Sequence, residues 1–263
     1  MAKWDVFGPV CVALISLVLQ PPGVSAQDIP RSVLPGIGSE ANRSAVDVNT
    51  APWRGVGVLQ TELGGHCTGA LVGRRAVLTA AHCLFSPNSH RLVQPHSIHF
   101  LVGYSHGEYQ GHSRAATYIT GQGEEIVVDG RRLTSPPDAD WAIVVLAEPL
   151  GTPDRILPVM KTVPPPGTHL ALAGYEQDRL HIMVADLDCT LLGIVSDAEK
   201  HTMLSHSCAA TRGASGGPLL GQTADGSWSV VGIDSTARLG SNGGYAVPIA
   251  AIDVNALDTV TAH

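Results

Sequence analysis

Three short segments of the sequence carry side chains that could do chemistry together. In Leu78-Thr79-Ala80-Ala81-His82-Cys83, small residues end an apolar run and present a histidine. In Asp138-Ala139-Asp140-Trp141-Ala142-Ile143-Val144-Val145-Leu146, an acid leads directly into an aliphatic run. In Arg212-Gly213-Ala214-Ser215-Gly216-Gly217-Pro218-Leu219-Leu220, a serine sits in a glycine-rich turn. Each segment alone has a plain reading: a surface or satisfied core histidine, a turn aspartate, a turn. Together they supply a nucleophile, a base and an orienting acid. A serine hydroxyl is a weak nucleophile at neutral pH until an imidazole takes its proton. The imidazole in turn needs a carboxylate to fix its tautomer and stabilise its charged form. Glycines around the serine let two backbone N–H groups point at one developing oxyanion without side-chain obstruction.

Such a constellation has to be positioned by elements far apart in the chain. The 29 Gly and 18 Pro, with an aromatic share of 5%, favour short strands joined by turns over long helices. Runs rich in Val, Ile and Leu read as strands near 56–59, 70–72, 76–78, 98–102, 126–128 and 143–146. A Pro-rich break at 163–167 follows. A second series falls near 169–173, 181–184, 191–195, 219–220, 229–233 and 245–247, and 248–258 reads as a short helix. No period of repeat length is present. The expected organisation is a first β half over 47–158, with His82 and Asp140. A second β half with a terminal helix covers 159–263, with Ser215.

The N-terminus reads as a leader. Lys3 gives a positive start, residues 10–19 are apolar apart from Ser16, and Val24-Ser25-Ala26 puts small residues at a cleavage site. Residues 1–26 are therefore expected to be a signal peptide, and 27–46 a polar arm or pro-segment. Export implies a secreted or periplasmic protein with no stable membrane insertion once the leader is cut. A formal net charge of −7, with Lys3, Lys161 and Lys200 the only lysines, argues against a nucleic-acid partner. Without Cys11 in the leader, four cysteines remain. They allow three connectivities in an oxidising compartment. The simplest is Cys67–Cys83 and Cys189–Cys208, one bridge in each half. A zinc site is the competing reading, but no C-x-x-C or metal-like Cys/His spacing appears.

The order His, Asp, Ser within T-A-A-H-C and G-x-S-G-G-P resembles the chymotrypsin/trypsin-like serine endopeptidase family. The resemblance runs from about Val56 to Asp253. Cys67 lies 16 residues before Cys83, as in the family's bridge beside the catalytic histidine. Ala173-Gly174-Tyr175 resembles the opening of the second barrel, and Trp228–Ser235 the strand lining the cleft. The pattern around Cys189, Cys208 and Gly213–Gly216 is similar to the bacterial glutamyl-endopeptidase-like branch. The resemblance implies two antiparallel six-stranded Greek-key β-barrels with the active site at their junction. It implies Ser215 as nucleophile, His82 as general acid/base and Asp140 as its orienting acid, preferred over Asp138 because it abuts the aliphatic strand. The N–H groups of Gly213 and Ser215 would form the oxyanion hole. Ser235 would lie near the acid, and Thr236 and Ala237 would pair with the substrate backbone.

Two positions depart from the family pattern. Members activated by a new N-terminus carry Asp directly before the nucleophile, and this chain has Ala214 there. That ion pair cannot form, so the hole must be preformed or shaped by other contacts. At the base of the primary pocket the chain has Ala209, followed by Ala210, in place of a basal Asp. Gly243 fits an open pocket wall. Asp234 holds the wall position where glutamate-specific relatives place a histidine. It would repel an acidic side chain and attract Arg or Lys, unless Arg238 or local N–H groups cap it.

His90, His96, His99, His106 and His112 fall close together, but none has the H-x3-H spacing of one helix face, and solvated loop histidines are the simpler reading. Asn42-Arg43-Ser44 fits a glycosylation sequon. The reading is an exported serine endopeptidase acting on peptide or protein substrates, with no metal and no other cofactor. The alternatives are a catalytically silent homologue serving as a binding module and an esterase using the same three residues.

Overall fold

The computed structural model describes residue 1 and residues 34–38, 42–86, 88–89, 91–121, 126–128, 131–133, 136–253, 256 and 259. The expected leader, apart from Met1, lies outside the described residues, as does His90. Short runs of β-branched and aliphatic residues form strands because each can bury its apolar side chains on a pleated surface. In chain order the strands are β1 Arg43–Ala45, β2 Val56–Thr61, β3 His66–Leu71, β4 Ala76–Thr79 and β5 Ile98–Val102. Then come β6 Gly111–Thr120, β7 Ile126–Val128, β8 Arg131–Leu133, β9 Ala142–Leu146 and β10 His169–Gly174. The last are β11 Val184–Ser196, β12 Thr202–His206, β13 Pro218–Gln222, β14 Trp228–Ala237 and β15 Gly244–Pro248.

Two six-stranded antiparallel barrels result. The first closes in the order β2-β3-β4-β9-β6-β5, and the second in the order β11-β10-β13-β14-β15-β12 with β12 returning to β11. In each, three consecutive strands are followed by a fourth that returns beside the first: β5 beside β2, and β13 beside β10. That is the Greek-key connection. Closure leaves neither barrel with an open edge. Alternation along the strands builds two packed layers. Leu219 and Val231 face a cluster inside the second barrel with Leu170, Leu172, Leu191 and Leu204. Their neighbours Leu220 and Val230 join a larger cluster continuous with Leu71, Leu78, Phe100 and Ile143 of the first barrel.

Several sequence expectations are revised. Strand β6 was not anticipated, because Gly111–Thr120 exposes alternate polar residues and its apolar face is weak. Strand β12, Thr-Met-Leu-Ser-His, has only two apolar residues in sequence although Ser205 and His206 are buried with them, so it shows no aliphatic run. Residues 181–184 and 191–195 were read as two strands. The fold has one 13-residue strand, β11, whose register shifts against β10 and β12 let it bend between partners. Residues 126–128 pair with 131–133 in a separate hairpin and not in the barrel. Ile249–Ala251 form a 3-10 turn, and beyond it Ala256 and Thr259 are helical.

The segment read as a polar arm is partly described. Leu34 and Ile37 are buried, and β1 pairs with β11 on the second barrel before the chain enters the first. The chain recrosses where Leu157 N–H donates to Leu71 and Met160 N–H to Val230. Among the described residues, no helix is long and apolar enough to cross a membrane.

Candidate active site

Strand β4 ends at Thr79, whose hydroxyl donates to the Thr68 carbonyl (2.9 Å) and so ties β4 to β3. The chain then tightens into a 3-10 turn, Ala81–Leu84, that projects His82, while Cys83 is tied back to Cys67 on β3 by a disulfide. The second disulfide joins Cys189 to Cys208. Asp140 caps the 3-10 turn Pro137–Ala139 just before β9, and β9 pairs with β4, which brings the acid beside the histidine. His82 Nδ1–H donates to Asp140 Oδ2 at 2.8 Å, and the His82 backbone N–H donates to Oδ1 at 2.9 Å. Ser235 Oγ donates to the same Oδ2 at 2.6 Å, so β14 of the second barrel reaches across to hold the first barrel's acid. Asp138 turns away, accepting from Thr202 N–H at 3.1 Å.

These contacts set the electrostatics. Burial opposes the His82 imidazolium. The Asp140 hydrogen bond and charge, with Asp234 behind, outweigh it and hold His82 above its ordinary pKa. Burial also favours neutral Asp140, yet the His82 and Ser235 hydrogen bonds keep its carboxyl below the usual range. A charged acid and a basic imidazole are what a proton-accepting pair requires. The His82 side chain remains 43% exposed, open to a reacting group, while Asp140 is 9% exposed.

The turn that carries Ser215 is clamped against β3 and β4. Thr68 N–H donates to the Ser215 carbonyl (2.9 Å), which lies 3.7 Å from Cys83 Sγ, next to His82. Gly216 has φ +79°, and a Cβ there would strike Thr79 Oγ1 and the Thr68 carbonyl, so only glycine fits. Gly213 has φ +95°, and its Cβ would strike the Tyr175 carbonyl; its own carbonyl accepts from Thr68 Oγ1 at 2.7 Å. Among the described residues, the N–H groups of Gly213 and Ser215 donate to no protein acceptor, whereas Ala214 N–H is taken by Thr211. Two donors flanking one used donor fit an oxyanion hole.

The residues assigned to substrate contact gather beside this turn. Ala209 and Ala210 are buried, with Ala209 N–H bound to Asp186 Oδ2. On β14, Thr236 is exposed and Ala237 half-buried, facing Tyr245 and Gly244 of β15, and Gly243 has φ +102° with His206 against it. A cavity of about 340 Å³ adjoins Thr236 and Tyr245, lined also by Pro137, Val195 and Met203. Asp234 is 5% exposed, and its Oδ1 lies 3.3 Å from Nε2 of His206, itself 1% exposed. Among the described residues, neither Arg238 nor a backbone N–H meets the Asp234 carboxylate: Arg238 donates to Ser205 Oγ and covers the Tyr245 ring. His206 was not singled out in the sequence. Its one signal was its place two residues before Cys208. The arm also reaches this region: Gly36 donates to Arg238 O, accepts from Ala210 N–H, and lies against Ala210 and Ala237.

Among the described residues, two groups of metal-ligating atoms converge. One is Cys67, His82 and Cys83, whose sulfurs are spent in the disulfide; the other is Asp197, Glu199 and His201 on the β11–β12 hairpin. Of the clustered histidines, His99 and His112 stack with ring centroids 5.1 Å apart, on β5 and β6.

The family model described as Trypsin matches residues 41–260. The cercarial protease of Schistosoma mansoni is 34% identical over 122 residues, which is 43% of this chain and 44% of that protein. The chain thus aligns with less than half the length of that curated relative. A Glu endopeptidase solved in complex with MPD superposes with a TM-score of 0.67 at 17% identity, over 86% of this chain and 99% of that one. A thermostable serine protease from an extremophilic microorganism superposes with a TM-score of 0.57 at 19% identity, over 80% and 96%. At those identities the two structures speak for the fold.

Proposed function

The chain belongs to the trypsin family, and from that premise we propose that it is a serine endopeptidase working through Ser215, His82 and Asp140. The observation that carries the reading is the 2.8 Å Asp140–His82 hydrogen bond set beside the clamped Ser215 turn. Ser215 Oγ attacks the carbonyl carbon of the scissile peptide while His82 takes its proton. The carbonyl oxygen becomes an oxyanion received by the N–H groups of Gly213 and Ser215. His82 then gives the proton to the leaving amine, whose C–N bond breaks to leave an acyl ester on Ser215. Water, deprotonated by His82, hydrolyses that ester and restores the enzyme. Asp140 stays ionised throughout, fixing the Nδ1–H tautomer and stabilising the imidazolium.

Substrates are peptides or proteins, lying along β14 with Thr236 and Ala237 as backbone partners. Ala209, Ala210 and Gly243 make a primary pocket without a basal charge. The 3.3 Å approach of Asp234 Oδ1 to His206 Nε2 supports a wall acid that faces a buried neighbouring side chain and not the substrate. Two disulfides suit an extracellular, oxidising location, and we assign the chain to the secreted or periplasmic space. In this reading residues 1–26 are a leader, 27–46 a polar arm or pro-segment, and the halves 47–158 and 159–263 carry the site between them. Digestion of a denatured proteome, with sequencing of the new termini, tests the proposal. New termini should appear with wild type and be absent with Ser215→Ala. Ester turnover without peptide cleavage would favour an esterase, and no turnover of either kind a silent homologue.

A further inference from the structure

The loop Thr211–Ser215 carries both oxyanion donors, and Ala214 within it has no polar side-chain atom to anchor it. The anchor is supplied from elsewhere. Segment Tyr175–Gln177 runs alongside: Thr211 N–H donates to Glu176 Oε2 (3.1 Å), Gln177 N–H donates to Arg212 O (2.7 Å), and Gln177 Nε2 donates to Thr211 Oγ1 (3.0 Å). Glu176 is 1% exposed. Its carboxylate is met by Arg43 of β1, through Nη1 on the same Oε2, and the Arg43 side chain is 3% exposed. Arg43 is itself fixed by a two-point pairing with Asp178, at 3.1 and 2.8 Å.

We propose that Arg43 is a positioning residue for the oxyanion hole, acting through the buried carboxylate of Glu176 on the Thr211–Ser215 loop. A buried carboxylate is tolerated when it is paired and its remaining lone pairs are used. Here Arg43 supplies the charge, and Thr211 N–H uses the carboxylate to fix the loop. Burial pushes the Glu176 carboxyl toward its neutral form, and the Arg43 charge and hydrogen bond pull against it. Without the guanidinium nothing opposes burial, so the carboxyl takes up a proton and the charge-assisted bond from Thr211 N–H becomes a weaker neutral one that the side chain can give up. The loop then loses the contact that holds its N-terminal end, while Thr68 still holds Gly213 O. The strand that delivers Arg43 lies in the segment 27–46, expected to be a polar arm or pro-segment, so any trimming compatible with activity must stop before residue 43.

The inference rests on the serine-endopeptidase reading, and the test separates the two. Full-length wild type, Arg43→Met, Arg43→Lys and the double variant Arg43→Met/Glu176→Met are compared for kcat, KM and inhibition by a peptide boronate, whose tetrahedral adduct needs the hole. The double variant replaces the ion pair with apolar side chains of similar length, so it remains foldable if Arg43→Met alone is not. Losing a whole oxyanion donor costs about 10²–10³ in kcat. Misplacing the loop should therefore lower kcat and boronate affinity together by about 10–100-fold in Arg43→Met and in the double variant, with KM unchanged and partial recovery in Arg43→Lys. A folded Arg43→Met or double variant with wild-type kcat and boronate affinity, or with a loss confined to melting temperature, overturns the inference. A wild type whose Ser215 is not labelled by a fluorophosphonate overturns the underlying reading instead.

Discussion

His82 is raised in pKa by Asp140 against the opposing effect of burial, and this has a kinetic signature. The base form is the working form, so kcat/KM should climb with pH through a limb centred above the ordinary histidine value of about 6.5. Asp140→Asn removes the raising contact and leaves the burial. The His82 titration, followed by ring-proton NMR, should then move below that value, and kcat should fall by about 10⁴-fold. An unmoved titration would mean that Asp140 does not govern His82. At Asp234, the pairing with His206 predicts that Asp234→Asn changes the share of cleavage after Lys and Arg by less than about twofold; a peptide-library profile measures it. A collapse of basic cleavage would return Asp234 to direct substrate recognition. His82, Asp140 and Ser215 were legible because each sits in a motif of adjacent residues. His206, Arg43 and Glu176 were not, because their partners lie 28, 133 and 35 residues away and single side chains carry no local pattern.

The elements divide in the same way. Strands β4 and β9 were legible as aliphatic runs, and they are the ones that set His82 beside Asp140. Strand β6 was not, since its inward face offers little beyond Ser113 and Ala115 in a polar sequence, and its place is fixed by pairing with β5 and β9. At the nucleophile turn, Gly216→Ala forces an L side chain into a positive-φ position against Thr79 and Thr68. It should cost at least about 1–3 kcal/mol in denaturant unfolding and remove most activity. Normal stability with full activity would show that the turn has room. Gly36 presses against Ala210 and Ala237, so under the proposed function the arm would compete for the pocket walls. A chain beginning at Asn42 keeps Arg43 and should bind substrate with a KM about tenfold or more below that of a chain beginning at Gln27. Equal KM values would make the arm a spectator.

Across the whole molecule, neither barrel holds a complete site. His82 and Asp140 belong to the first, Ser215 and the proposed oxyanion donors to the second, and Ser235 Oγ bridges them on Asp140 Oδ2. The apolar cluster that continues from one barrel into the other fixes their relative placement, so the proposed triad depends on the packing of both. The acidic net charge argues against nucleic-acid partners and leaves peptide specificity to the pocket. The central claim is that Ser215 is a nucleophile activated across this junction. Its most direct test is intact-mass and peptide mapping after exposure to a fluorophosphonate. One adduct per chain, located on Ser215 and lost in a folded His82→Ala variant, is the predicted result. An unlabelled Ser215 in folded wild type, or labelling that survives His82→Ala undiminished, would contradict it.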